Sequence, residues 1–258
     1  MKRGFTLAEV LITLGIIGVV TALTIPVLIS LYQKNVLRNQ FKAAYSTIQE
    51  AWRKAESDLD YRPSCYYWLK SPYKGVCQEK DEYGSCTKFT LEDGSPLPSD
   101  FNGNFTECKV LRDAVLENMK IIKTCKNNAY KNGCIPAYKG IDTVMQANRP
   151  EDNQMSDDEA ASKSRGCGNF REKAIRNDRS AYVLANGIIF IPYDSTNGVH
   201  IFAIDINGMK GPNKWGHDLF TFMTRADVNS PLRLTPDGCM NVEKGGLSTS
   251  QMLRDIYK

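Results

Sequence analysis

Three groups of residues have types and spacings able to do chemistry. A single acid, Glu9, stands just inside an apolar run that starts at Phe5 and carries no formal charge from Val10 to Gln33. Eight cysteines, Cys65, Cys77, Cys86, Cys108, Cys125, Cys134, Cys167 and Cys239, all lie beyond that run. In the glycine-rich stretch DINGMKGPNKWGHDLF, residues 205–220, Asp205, Asn207, Asn213 and Asp218 offer four oxygen-bearing side chains. The even cysteine count, the absence of any CxxC pair and the presence of only two histidines, His200 and His217, argue for disulfides in an oxidising exterior over zinc. Cys125–Cys134 and Cys77–Cys86 are the natural local pairs, although eight cysteines allow about 105 connectivities. Ca²⁺ takes six to eight oxygen ligands from such loops. The spacing is not that of an EF-hand, however, and a turn held by side-chain-to-backbone hydrogen bonds is the favoured reading. No GxSxG, HExxH or phosphate-binding glycine motif occurs. The expectation is a protein that is not an enzyme.

The element that positions Glu9 must be a helix. The uncharged run exceeds the roughly 20 residues that cross a bilayer core. It is also longer than the 7–15-residue core of a cleaved secretory signal. A carboxylate costs about 2.5–3.5 kcal/mol at the centre of a spanning helix and less near the interface, so an ionisable group there reads as functional. Lys2 and Arg3 favour a cytoplasmic N-terminus. A plain signal anchor explains those cations and the length, but not Gly4, Glu9 and Pro26 together. Beyond Tyr32, Leu37, Phe41, Ala44, Tyr45, Ile48, Trp52, Ala55 and Leu59 recur at spacings of three and four, which makes residues 34–59 an amphipathic continuation. One helix from 5 to about 58 results, with a bend or local melting expected near Thr21–Pro26, because proline lacks an amide hydrogen and clashes with the preceding turn.

Gly4 followed by FTLAEVLITLGIIGVVTALTIP resembles the N-terminus of type IV pilins and type II secretion pseudopilins. The resemblance covers about 35 of 258 residues. It implies cleavage after Gly4, N-methylation of Phe5 and a Glu9 carboxylate that neutralises the terminal amine of a neighbouring subunit. It also implies a helical filament core, often kinked near a proline matching Pro26. The implied partners are a prepilin peptidase/methylase, other pilin or pseudopilin subunits, an inner-membrane platform protein and an assembly ATPase. The implied location is the inner membrane, single-pass, and then a periplasmic or cell-surface filament. Ala8 stands where many members carry a bulky aliphatic residue. The 205–220 stretch resembles a C-terminal segment common in pilin-like proteins, some of which bind calcium in such loops.

The rest of the chain reads as an extracytoplasmic domain, 60–258, after a 1–4 leader and a 5–33 membrane or filament-core helix. Residues 60–170 form a cysteine-rich insertion. Its first part is broken by prolines and glycines and carries Tyr61, Tyr66, Tyr67, Trp68 and Tyr73 as the roof of a disulfide-pinned subdomain. Its second helix is capped by Asn104, with Glu107 three residues on, and runs to about Lys126. The polar segment 149–165 reads as an exposed loop or short surface helix. Residues 180–240 form a β-meander: two strands around Asn186-Gly187, a third in VHIFAID, a fourth in LFTFMT and a fragment in LRL. The fold class is α+β, pilin-like, with the antiparallel sheet laid on the long helix. Removing residues 1–4 takes Lys2 and Arg3 from a net charge of +4, leaving +2, and no long basic block points to nucleic acid. A minor or tip pilin is the leading expectation. A secretion pseudopilin and a non-polymerising membrane-anchored binding protein or enzyme are the alternatives.

Overall fold

The computed structural model describes residues 6–61, 76–80, 86–97, 103–150, 167–194, 198–225, 233–236 and 242–256, with isolated positions between 151 and 166. Its first element is α1, Leu7–Leu59, 53 residues without interruption. At its start Thr6 and Glu9 form a reciprocal capping box. It ends where Asp60 turns to φ 52° and donates its amide to the Ser57 carbonyl. The expected melting near Thr21–Pro26 is not present, since α1 continues through Pro26. One missing amide leaves one helical bond unmade, and Thr24 Oγ1 donates nearby to the Val20 carbonyl at 2.9 Å. A single such defect inside a long apolar helix does not unwind it when the flanking bonds stay shielded.

Two strands, β1 (Val76–Lys80) and β2 (Cys86–Thr90), form a separate antiparallel hairpin. The main sheet has six strands in sequential antiparallel order: β3 (Ile121–Cys125), β4 (Ala181–Leu184), β5 (Ile189–Asp194), β6 (Gly198–Asp205), β7 (Leu219–Arg225) and β8 (Arg233–Pro236). The strands around Asn186-Gly187, VHIFAID and LFTFMT are where the alternation placed them, as are Arg233 and Leu234 of LRL, whose Leu232 lies outside the described residues. At the tip of the first hairpin Gly187 takes φ 87°.

The second helix differs from expectation. It is α2, Gly103–Glu117, and it stops well short of Lys126, because Ile121–Cys125 is an edge strand paired with β4. Cys108, Leu111, Val115, Met119 and Ile122 have helical spacing, yet Ile121, Ile122 and Thr124 are β-branched and fit a pleated edge better than a helix. The Asn118 side chain donates to the Ala114 carbonyl at 3.0 Å, competing with the helix at its C-terminus. As a result Ile122 is 68% exposed. The Asn104 cap and the side chain of Cys108 lie outside the described residues.

The sheet is buried on both faces. On one face Phe190, Phe202, Ile204, Phe220 and Phe222 meet Phe41, Ala44, Ile48, Trp52 and Ala55 of α1, Leu111 and Val115 of α2, and Met252 of a C-terminal helix, α4 (Thr249–Asp255). Trp52 stacks on Phe202 with ring centroids 4.9 Å apart, and Phe41 meets Phe220 edge-on at 4.7 Å. On the other face Ile189, Ile191, Ala203 and Leu219 meet Tyr138, Phe170, Ile175 and Trp215, and α3 (Ile141–Ala147) contributes Val144. Thus, within the span 60–170, α2 and β3 belong to the helix-side core and the sheet, while residues 129–144 and 170 cover the sheet's far face. Cys125 and Cys134 are bonded there, with Cα atoms 6.2 Å apart. Cys77 and Cys167 are disulfide-bonded too, and among the described residues no cysteine is free. Cys65, Cys239 and the side chain of Cys86 lie outside the described residues, as do Tyr66, Tyr67, Trp68 and Tyr73. Most of 149–165 lies outside them as well.

Phe202 touches both α1 and its sheet neighbours, so Phe202→Ala should cost about 3–5 kcal/mol of unfolding free energy. Ile122→Ser, on the exposed edge, should stay within about 0.5 kcal/mol of the parent. Denaturant unfolding followed by circular dichroism reads both. Equal effects at the two positions would contradict this assignment of core and edge.

Candidate functional site

At the N-terminus, α1 presents a chemically sparse surface. From Leu7 to Tyr32 the large apolar side chains are all exposed, and none of the helix's most apolar window is buried against the domain. Glu9 is the one ionisable group among them. Its Oε2 accepts from the Thr6 amide and from Thr6 Oγ1, both at 2.8 Å, while its own amide donates to Thr6 Oγ1 at 3.3 Å. The carboxylate therefore folds back over the first turn, toward the backbone that leads to Phe5. Gly4 and Phe5 lie outside the described residues. Pro26 sits midway along the exposed half. Thr6 is the neighbour of Glu9 that the sequence reading missed. Its signal was a capping box: a threonine three residues before a glutamate at the head of an apolar run.

The 205–218 loop is built by the sheet. Asp205 ends β6 and Asp218 immediately precedes β7, so pairing of the two strands brings both to one end of the hairpin. Both are fully buried. Asp205 Oδ1 accepts from the amides of Asn207 at 3.0 Å and Gly208 at 2.6 Å, and its Oδ2 accepts from Tyr138 Oη at 2.6 Å. Asp218 Oδ2 and Oδ1 accept from the amides of Asn213 and Lys214, each at 2.7 Å. Asn207 Nδ2 reaches the Gly211 carbonyl at 3.2 Å, and the Asn213 side-chain amide reaches those of Lys210 and Gly208 at 3.1 Å. Gly208, at φ 68°, lies so close to the Gly187 carbonyl that a Cβ would overlap it. The Gly211–Pro212 peptide is cis.

All four residues expected in this loop are brought together, but every carboxylate oxygen is engaged by an N–H or O–H donor. Among the described residues no three His, Cys, Asp or Glu side chains converge. This donor arrangement fits a self-supported turn and does not fit a cation cage. The loop also ties layers together. Trp215 donates its indole N–H to the Lys139 carbonyl at 2.7 Å, and its backbone carbonyl accepts from the Glu243 amide at 2.9 Å. Tyr138, Trp215 and Glu243 were not foreseen, since residues far apart in sequence meet here only through the fold. His217 borders the Lys244 carbonyl at 3.4 Å, and the side chain of His200 lies outside the described residues.

The family model described as the prokaryotic N-terminal methylation motif matches residues 1–25, the segment that ends just before Pro26. No curated protein and no solved structure matches the chain.

Burial raises the pKa of Asp205 to about 7, with the neighbouring Asp218 adding to the shift against the hydrogen bonds from Tyr138, Asn207 and Gly208. Burial raises Asp218 as well. A carboxyl raised above its unfolded value near 3.9 holds its proton more tightly in the native state. Stability is then fullest below about pH 4 and is lost as pH rises through 7. At about 1.4 kcal/mol per pH unit, the loss from Asp205 amounts to a few kcal/mol. Asp205→Asn keeps an oxygen for the two amides and cannot ionise. Its unfolding midpoint should therefore vary much less between pH 4 and 8 than the parent's. An equally steep curve in the variant would show that Asp205 is not the responsible group.

Proposed function

We propose that this chain, which carries the prepilin-type signal of type IV pilins and pseudopilins over residues 1–25, is a minor or tip subunit of a type IV pilus or related filament. The observation that carries the reading is the join between that signal and α1. A single 53-residue helix holds the sheet on one half and leaves the other half, uncharged from Val10 to Gln33, uncovered among the described residues. Such a helix is satisfied first by a membrane and then by the helices of other subunits. In the proposed sequence a prepilin peptidase cuts after Gly4 and methylates Phe5. The subunit waits in the inner membrane with its N-terminus on the cytoplasmic side, and a platform protein and an assembly ATPase move it into the filament.

The bulk of the domain supports a minor or tip place. A bare filament needs the helix and one covered sheet face. Here the far face carries a second core under Tyr138, Phe170 and Trp215, and a separate β1–β2 hairpin is added. That second core lies on the sheet face opposite α1, on the side away from a filament axis formed by such helices.

Cleavage would place the new amine on Phe5, next to Thr6, whose amide Glu9 already holds. A cation and a carboxylate buried separately in an apolar medium each cost several kcal/mol, and pairing offsets part of that. The capping box makes the charge testable apart from the cap. Glutamine serves as well as glutamate at the third helical position of such a box. Intact-mass measurement should show loss of Met1–Gly4 and one added methyl group. Glu9→Gln and Glu9→Ala should both be cleaved and membrane-inserted, yet enter filaments poorly. If Glu9→Gln assembles like the parent while Glu9→Ala does not, the cap and not the charge is what assembly uses. Retention of Met1–Gly4 in the native cell would remove the filament reading.

A further inference from the structure

Between Glu9 and Glu50 the chain contains no acid, and its only charges are Lys34, Arg38 and Lys42. These three follow directly on the uncharged run that ends at Gln33. All lie within α1, four residues apart, so they fall in an arc of about 80° and climb the helix in steps of about 6 Å. They flank the buried Phe41–Ile48 face without joining it: Lys34 and Lys42 are exposed and Arg38 is half-buried. None forms an ion pair among the described residues. Just below them Tyr32 is 70% exposed, an aromatic at the level where an apolar span meets water.

We propose that Lys34, Arg38 and Lys42 form a lipid-headgroup stripe, which seats the membrane-inserted subunit on anionic phospholipids of the leaflet that meets Gln33. The proposal rests on the reading of residues 7–33 as a membrane-spanning helix. It depends on where the stripe sits along α1 and not on which side of the membrane that is. Once Met1–Gly4 is removed, these three are the side-chain cations nearest the span. At bilayer depth Lys34 stands at the headgroups and Arg38, about 6 Å further, within a Debye length of about 8–10 Å. Lys42, about 12 Å from Lys34, lies just beyond it and contributes least. The alternative occupant is the acidic end of α1 in a second copy. Those acids are already engaged: Glu50 pairs with Lys54 at 3.0 Å, Asp58 accepts from Asn118 at 2.7 Å, and Glu56 also has a partner. A headgroup surface meets the stripe with its charge unspent.

The test uses the full chain in detergent, offered vesicles of phosphatidylcholine alone or of phosphatidylcholine mixed with phosphatidylglycerol, with incorporation read by flotation. Lys2 and Arg3, where present, are common to parent and variant and cancel. The parent should favour the anionic vesicles about tenfold at low salt and lose the preference at high salt. The combined variant Lys34→Gln, Arg38→Gln, Lys42→Gln should enter phosphatidylcholine vesicles as the parent does and show little preference. A parent without preference, or a variant that keeps it, overturns the proposal. So does a variant whose lipid behaviour is unchanged while crosslinking between copies falls, which assigns the stripe to a neighbouring subunit. A parent that enters neither vesicle removes the spanning reading, and the stripe's role with it.

Discussion

From Phe41 to Ala55, α1 buries one face against the sheet; from Leu7 to Leu31 its large apolar side chains are exposed among the described residues. Each Leu, Ile or Val left in water forgoes about 1.5–3 kcal/mol of burial. Summed over that half of the helix, the loss exceeds the net stability of an ordinary domain, which is about 5–15 kcal/mol. No rearrangement of the domain could recover it, because the sheet has already spent both faces on its own cores. The uncovered half therefore requires a second apolar medium. Bilayer and bundled helices are the two that leave a continuous helix intact, since both let its backbone bonds remain internal.

The two-sided burial of the sheet follows from strands that are apolar at nearly every position. In β5, Phe190 faces α1 while Ile189 and Ile191 face Phe170 and Trp215; in β6, Phe202 and Ile204 alternate with Ile201 and Ala203 in the same way. Period-two alternation and the Asn186-Gly187 turn made these strands legible. The second core was not read from them, although a strand apolar on both faces must be covered twice. What covers it was hidden, since Tyr138, Phe170 and Ile175 come from a stretch rich in glycine, proline and charge with no period of its own. The end of α2 failed for a different reason. Val115, Met119 and Ile122 keep helical spacing across a turn, and only pairing with β4 separates a strand from a fourth helical turn there.

At the loop between β6 and β7, the residue types were legible and their use was not. Asp, Asn and Gly suit a cation loop because they offer oxygens on a tightly turned chain, and they suit an Asx-type turn for the same reason. The deciding quantity is where neighbouring amides point. Here Gly208 and Asn213 take positive φ, which turns successive amides inward onto Asp205 and Asp218. Tyr138 then supplies the remaining donor from 67 residues away. Neither fact is local to the motif. At the N-terminus, by contrast, Thr6 and Glu9 are three residues apart and act within one turn, so the capping geometry was available from spacing alone.

The continuity of α1 links the two regions. Its buried half is clamped by aromatic contacts, Trp52 on Phe202 and Phe41 on Phe220, and no break separates that half from Glu9. At about 1.5 Å per residue, Glu9 lies roughly 65 Å along the rod from Trp52. A continuous helix transmits axial displacement along its length with little loss. Fixing where one Glu9 stands against a neighbour's Phe5 would thus also fix how far one sheet stands above the next. Specificity in such an assembly can then reside in a single charged contact at one end, while the domains at the other end are free to vary in what they carry. The second core of this chain lies at that unconstrained end. Under the proposed assembly, its bulk would alter the outer surface without disturbing a register set at the first turn of α1.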